Sequence, residues 1–344
     1  MRILNVLKEF LLSKIFSYDK INFGDVMINQ ENVEKLFDLL DESTIILYEH
    51  SKTPYLEGLV KTCENILANS AETGNKVVDK KLSGLLSEIS EIEFNKEEIR
   101  KAFQYACLKG LKHQNTSNQM ITPESIGLFF SYLVEKIYDL NELIIFDPLI
   151  GSGNLITCLA NNLDRDTKLF GVDKDLTNYK LSQALFGMLE YGENVYFQDV
   201  LTFKNFISDL IVTDFSGLEQ KSIYEILKHV NSLLREDAFL ISVIDNSFFD
   251  DYKLKDFIYE VKEVWHFFGM IVLPKILFKN NEKSIFILQK IGRNFIKPKK
   301  FLVTELPDFN NENEMITVID QLNDWFEKID FYRVRENDEK NNGG

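Results

Sequence analysis

The chain has 344 residues, 45% of them hydrophobic and 27% charged, enough apolar material to bury a large core with an appendage beside it. Thirty-nine basic against fifty-four acidic residues leave a net charge of −15, which argues against the broad basic footprint of a protein that grips phosphates unaided. Three scattered cysteines, Cys63, Cys107 and Cys158, form no CxxC or Cys/His cluster, so neither a disulfide framework nor a metal centre is expected.

The opening segment Met1–Glu9 has its apolar run broken by charges, and no stretch of about 18 apolar residues follows anywhere. A cytoplasmic protein without a membrane span is the expectation. Residues 1–115 read as a helical N-terminal domain, with a ragged segment before Met27. Val33–Leu40, Tyr55–Ala68 and the run from Glu97 to Leu111 carry apolar side chains at three- and four-residue spacings. Asn115-Thr116-Ser117-Asn118 then breaks the pattern with turn formers.

Beyond residue 116 the grammar changes. Thr122-Pro123-Glu124 predicts a helix start, with Thr122 as N-cap and Pro123 in the first helical position. Short apolar runs then alternate with helical stretches. Leu143–Phe146, Lys168–Val172, Val195–Phe197, Leu210–Thr213, Ala238–Ile244, Phe267–Leu273 and Ser284–Gln289 are the expected strands. That alternation predicts an α/β fold, a seven-stranded mainly parallel sheet with helices on both faces, over residues 116–334. A further strand at Phe301–Thr304 and a helix near Met315–Ile329 follow, and the polar residues 335–344 read as a disordered tail.

The strongest local signal runs from Ile144 to Leu155 through Asp147-Pro148-Leu149-Ile150-Gly151-Ser152-Gly153-Asn154. A strand ends, a loop with glycines turns, and a helix begins. Glycine lets backbone amides approach a ligand, and a helix N-terminus favours electronegative groups. Asp173 ends the next strand, where an acid can accept ribose hydroxyls, and both pieces fall on one sheet edge. The pairing suggests a nucleoside pocket, the plain alternative being a strand–turn–helix junction.

Taken in order, these segments resemble the adenine-N6 DNA methyltransferases related to modification subunits of type I restriction systems, and their small stand-alone bacterial relatives. The resemblance covers residues from about 95 to 330 and implies a Rossmann-like class I methyltransferase fold that binds S-adenosylmethionine. It implies cofactor contacts from Thr122, from Asp147, Pro148, Gly151, Ser152, Gly153 and Asn154, from Asp173 on the ribose, and from Asp199 and Val200 at the adenine. Leu273-Pro274-Lys275-Ile276-Leu277-Phe278 matches a later hallmark of the family, and Phe278 becomes the candidate support for an extruded base. A core phenylalanine is the other reading of Phe278.

The family's catalytic Asn/Asp-Pro-Pro-Tyr/Phe maps to Asp214, Phe215, Ser216 and Gly217. There a side-chain oxygen holds the exocyclic amine, prolines stiffen the loop, and the aromatic stacks on the flipped base. Here Asp214 keeps an acceptor, both prolines are gone, Gly217 stands at the aromatic position, and Phe215 offers a ring two residues early. Asp214 capping a turn after a buried strand is the neutral alternative. His113, His229 and His266 lack evident partners, and Lys297, Lys299 and Lys300 fit a solvated loop better than a phosphate contact.

Three functions remain open on these residues. The first is methyl transfer to adenine in DNA, with sequence specificity supplied by a separate partner. The second is a cofactor-binding homologue without turnover, and the third is methyl transfer to a non-DNA acceptor. A dinucleotide oxidoreductase fits less well, because the Gly loop lacks that fingerprint's third glycine.

Overall fold

The structure, a computed structural model, describes residues 28–113, 121–249, 259, 261–278, 281–298, 300–308 and 311–329. The segment before Met27, the turn signal at Asn115–Asn118, Lys299 and the tail after Arg335 lie outside the described residues.

Among the described residues four helices come first: α1 (Gln30–Ser51), α2 (Tyr55–Ala68), α3 (Lys76–Ile89) and α4 (Lys96–His113). Asn29 caps α1 and Asn75 caps α3, each through its side-chain oxygen, while Lys52 and Asn69 close α1 and α2 in the left-handed region. Their apolar faces make one core of Val33, Leu36, Leu59, Cys63, Phe103 and Cys107, which also takes in Leu181, Ala184 and Leu185 of the α/β region. The helical region is therefore seated on the α/β region through shared burial.

The chain then runs through α5 (Glu124–Ile137), β1 (Glu142–Asp147), α6 (Asn154–Asn161), β2 (Asp166–Asp173), α7 (Leu176–Met188) and β3 (Val195–Phe197). It continues with β4 (Ser208–Asp214), α8 (Gln220–Val230), β5 (Leu234–Asp245), β6 (Trp265–Val272), β7 (Lys283–Lys290), β8 (Leu302–Glu305) and α9 (Glu312–Glu327). The sheet order is β3-β2-β1-β4-β5-β7-β6-β8, with β7 antiparallel to both neighbours and the other pairings parallel. The expected fold class holds, with one correction. The sheet has eight strands rather than seven, because Leu302–Glu305 pairs beside β6.

Parallel strands covered on both faces need apolar side chains pointing both ways. Ile145, Leu210, Val212, Ile241 and Ile287 face one layer, while Phe146, Ile211, Leu240 and Leu288 face the other. Helices α5 and α6 pack so closely that a methyl on Gly127 would stand 2.7 Å from the Cys158 sulfur. The chain moves outward from β1 through β2 to β3, then returns to β4 on the other side of β1. That reversal opens a crevice at the carboxyl ends of β1 and β4, where ligands of open α/β sheets bind. Among the described residues no helix is long and apolar enough to cross a membrane.

Candidate functional site

Asp147, Asp173 and Asp214 each end a parallel strand, so strand order alone sets three carboxylates along the crevice. Between β1 and α6 the loop passes through Gly151 at φ +55° and Gly153 at φ +82°, conformations that side chains rarely adopt. Gly153 takes the N-cap position of α6 without a side-chain cap, leaving amides at that helix end without a side-chain acceptor. The backbone N–H of Gly151 donates to Asp173 Oδ2 at 3.0 Å, so the loop and the β2 acid converge. Asp173 also accepts from Asp175 N at 2.8 Å and from the Asn178 side chain at 3.2 Å.

Burial governs the charges here. Asp147 is buried, accepts from Leu149 N at 3.0 Å, and has its pKa pushed up to about 7 by desolvation, with the Asp173 and Asp214 charges adding to the rise. Asp173 is also raised, first by burial, against the lowering effect of its amide donors. Such a row of carboxylates suits a cationic ligand better than an anionic one. S-adenosylmethionine carries a positive sulfonium, and the convergent Gly loop and ribose-type acid supply what its nucleoside half requires. The residues present therefore fit that group.

Thr122 is not the helix cap that the sequence suggested. Pro123 holds that position, α5 starts at Glu124, and the Thr122 hydroxyl instead donates to Asp214 Oδ2 at 2.8 Å. Asp214 takes further bonds from Ser216, through its N–H at 2.9 Å and through its hydroxyl. The β4 loop thus holds its carboxylate by hydrogen bonds where the resembled motif uses prolines.

Phe215 does not replace the missing aromatic. Its ring is fully buried, in the core layer that also holds Ile211, Ile223 and Ile244, and its N–H still donates to the Val243 carbonyl of β5 at 2.9 Å. Gly217 lies at φ +76° with no atom beyond its own chain neighbours within 4 Å of where a side chain would begin, and its N–H donates to Asp245 Oδ2 at 2.9 Å. Ser152 is buried at the loop's turn and Pro148 opens that loop. Asp199 spends one carboxylate oxygen on Leu201 N at 2.9 Å, capping a short turn. The Val200 side chain is in the core, so any cofactor contact there falls to backbone. Phe278 is half-buried, and the ammonium of buried Lys283 stands 4.6 Å from its ring centre and 3.8 Å from Asp245.

Sequence reasoning missed a buried ionic cluster beneath the loop. Arg100, wholly buried in α4, donates through Nε and Nη2 to Glu97 and through Nη2 to Glu124 at 3.0 Å. Lys101 reaches Glu124 at 2.9 Å. Burial opposes the Arg100 charge, but the carboxylates of Glu97 and Glu124 hold its pKa above the ordinary value. Asn154, expected to touch a cofactor, has its side chain committed inside the protein, accepting from Arg100 Nη1 at 2.8 Å and donating to the Thr122 carbonyl at 3.0 Å. Among the described residues no cluster is arranged to hold a metal ion. A separate cavity of about 540 Å³ lies farther along the edge, between Pro274, Ile276, Leu306 and Val318.

Residues 34–111 match the family model of the YtxK N-terminal helical domain. Over 334 residues the chain is 30% identical to the uncharacterized protein YtxK of Bacillus subtilis strain 168, covering 88% of this chain and 99% of that one. A candidate class I S-adenosylmethionine-dependent methyltransferase from Listeria monocytogenes superposes with a TM-score of 0.78 at 27% identity, over 87% of this chain and 100% of that one. The modification subunit of a candidate type I restriction enzyme from Vibrio vulnificus YJ016 gives 0.54 at 14% identity, over 93% and 90% of the two chains, a likeness of fold.

Proposed function

The chain belongs to the YtxK-like family, and from that premise we propose that it binds S-adenosylmethionine at the carboxyl edge of β1, β2 and β4 and transfers its methyl group to an exocyclic amine, in the manner of adenine-N6 DNA methyltransferases. The observation that carries the reading is the bond from Gly151 N to Asp173 Oδ2, which brings the glycine loop and the ribose-type acid to one place. The cofactor supplies an electrophilic methyl group. The chain's part is to hold the acceptor still. Gly151 and Gly153 let the backbone approach the nucleoside, and Asp173 offers its remaining lone pair to a ribose hydroxyl. Asp214, fixed by Thr122 and Ser216, accepts from the target amine and so aims its lone pair. Positioning of this kind supplies much of the rate when no covalent enzyme intermediate is needed. A partner protein would supply sequence specificity.

The burial of Phe215 and the bare Gly217 favour a second reading, cofactor binding without transfer to a base. Base stacking on an aromatic is worth about 1–3 kcal/mol, and among the residues mapped to the catalytic motif no exposed ring provides it. Titration with S-adenosylmethionine and S-adenosylhomocysteine, followed by labelled methyl transfer to unmethylated DNA with Asp214→Ala as control, separates the two. Binding lost in Asp173→Ala, with N6-methyladenine formed by wild type alone, is the expected result. Absence of binding by wild type sinks both readings. Binding without N6-methyladenine leaves the second.

A further inference from the structure

We infer that the helical region builds part of the cofactor and acceptor site, with Arg100 as a positioning residue that acts through Asn154 and Thr122 on Asp214. This rests on the reading of the β1–β4 crevice given above. The connection is continuous. Arg100 Nη1 donates to Asn154 Oδ1 at 2.8 Å, Asn154 Nδ2 donates to the Thr122 carbonyl at 3.0 Å, and Thr122 Oγ1 donates to Asp214 Oδ2 at 2.8 Å. It begins on α4, crosses to the first residue of α6, passes to the segment before α5, and ends at the tip of β4.

Each link has a fixed polarity. A guanidinium only donates, so the Asn154 oxygen must face it and the Asn154 amide nitrogen must face the Thr122 carbonyl. An ionised Asp214 only accepts, so the Thr122 hydroxyl must be the donor. No link can reverse without leaving a buried group unpaired. Thr122 is available for this because Pro123, not Thr122, occupies the N-cap position.

The Arg100 end is anchored just as firmly. Its Nε and Nη2 are committed to Glu97 and Glu124, which leaves Nη1 to reach out of the ionic cluster, to Asn154 and to Gln104 at 3.4 Å. Glu97 braces the far end of α6 as well, accepting from Asn161 at 2.8 Å. Buried ion pairs are weak stabilisers, and well-packed apolar side chains often replace them at no cost. What this cluster provides is direction: it sets α6 and its glycine loop at one distance from Thr122 and hence from Asp214. Misplacement by about 1 Å can cost a methyl-transfer geometry roughly a hundredfold in rate.

Amide hydrogen exchange and S-adenosylhomocysteine titration on the full chain test this with Arg100→Lys, Asn154→Asp and Thr122→Val. Lysine keeps the charge but not the fork. In Arg100→Lys, exchange should speed up by about tenfold, the equivalent of one lost buried hydrogen bond, in 148–154 and 213–217. The cores of α1 and α2 should keep wild-type protection. Thr122→Val leaves the ionic cluster intact and should loosen 213–217 alone. Asn154→Asp keeps the Arg100 contact and loses the donor to Thr122, so it should loosen 121–125 and 213–217 even if Arg100→Lys fails to fold. Affinity for S-adenosylhomocysteine should drop by about tenfold in Arg100→Lys and Asn154→Asp. Unchanged exchange in the folded variants overturns the inference, as does loosened exchange with wild-type affinity. Wild type that fails to bind sinks the cofactor reading instead, and the exchange pattern still decides whether Arg100 positions the loops.

Discussion

Asp147→Asn should stabilise the protein at alkaline pH and do little in acid. The buried Asp147 carboxyl has an ordinary pKa of 3.8 and a folded value of about 7, raised first by desolvation and then by the charges of Asp173 and Asp214. A carboxyl whose folded pKa is raised binds its proton more tightly in the folded state. Its contribution to stability is therefore complete below pH 3.8 and is lost as pH rises through about 7. The full span is about 4 kcal/mol, of which roughly 2–3 kcal/mol falls between pH 5 and pH 8. Asparagine keeps the shape and the oxygen that accepts from Leu149 N, but it cannot ionise. Urea unfolding of both proteins across that range should show the variant gaining on wild type by roughly 2–3 kcal/mol as pH rises. A wild-type-to-variant difference that stays flat with pH would refute the burial of a titrating group at this position. S-adenosylmethionine bound beside these carboxylates should release a proton near pH 7 from wild type and not from the variant, read as buffer-dependent heats in calorimetry.

Gly153→Ala meets no clash, its new methyl standing 3.4–3.6 Å from Ser182, Leu185 and Phe186, so the cost is the left-handed backbone. That is about 1–2 kcal/mol, or roughly 2–8 °C in Tm, whereas Gly84→Ala in the open interior of α3 should raise Tm in the same assay. Phe215→Ala should lose about 3–5 kcal/mol in denaturant as a core truncation, while Phe215→Leu should bind S-adenosylhomocysteine like wild type; a selective loss of binding in the leucine variant would put Phe215 back in the site. Tyr138→Phe removes a buried hydroxyl that donates to the Asp209 carbonyl at 2.7 Å and accepts from Phe239 N at 3.0 Å, and should cost about 1–3 kcal/mol in the same unfolding measurement.

What could be read from the chain beforehand follows from how local each signal is. The strands were legible because buried parallel strands are continuous apolar runs, and Leu210–Thr213 lies within Ser208–Asp214. The same continuity hid Phe215. A strand buried on both faces has no alternation, so nothing in Ile211-Val212-Thr213-Asp214 tells which side the next residue takes. At Thr122 the local grammar allowed two frames one residue apart, and a partner 92 residues away chose between them. The Arg100 cluster was illegible for the same reason in stronger form. Glu97-Glu98-Ile99-Arg100-Lys101 looks like a solvated face, and only the folded chain brings Glu124 and Asn154 to it. Strand β8 was foreseen as a separate element, but its pairing beside β6 depends on tertiary contacts that no local pattern encodes.

The electrostatics of the edge bear on which acceptor can reach Asp214. Asp147, Asp173, Asp214 and Asp245 all end strands there, and Glu305 and Asp308 border the cavity beyond. Lys283 is buried and already turned toward Asp245 and Phe278. A nucleic acid brings a phosphate about every 1.7 Å of duplex and needs cations to replace its counterions. The net charge of the chain is −15, and at this edge exposed Lys174, next to Asp173, and exposed Lys275, on the cavity wall, stand among those acids. A basic partner that carries the duplex would then speed methyl transfer to DNA, and the added salt dependence of DNA affinity should come from that partner. An amine that is neutral, or that gives up its proton before transfer, needs no such help. If transfer to a free amine outruns transfer to DNA in the isolated chain, the carboxylate edge is selecting the acceptor.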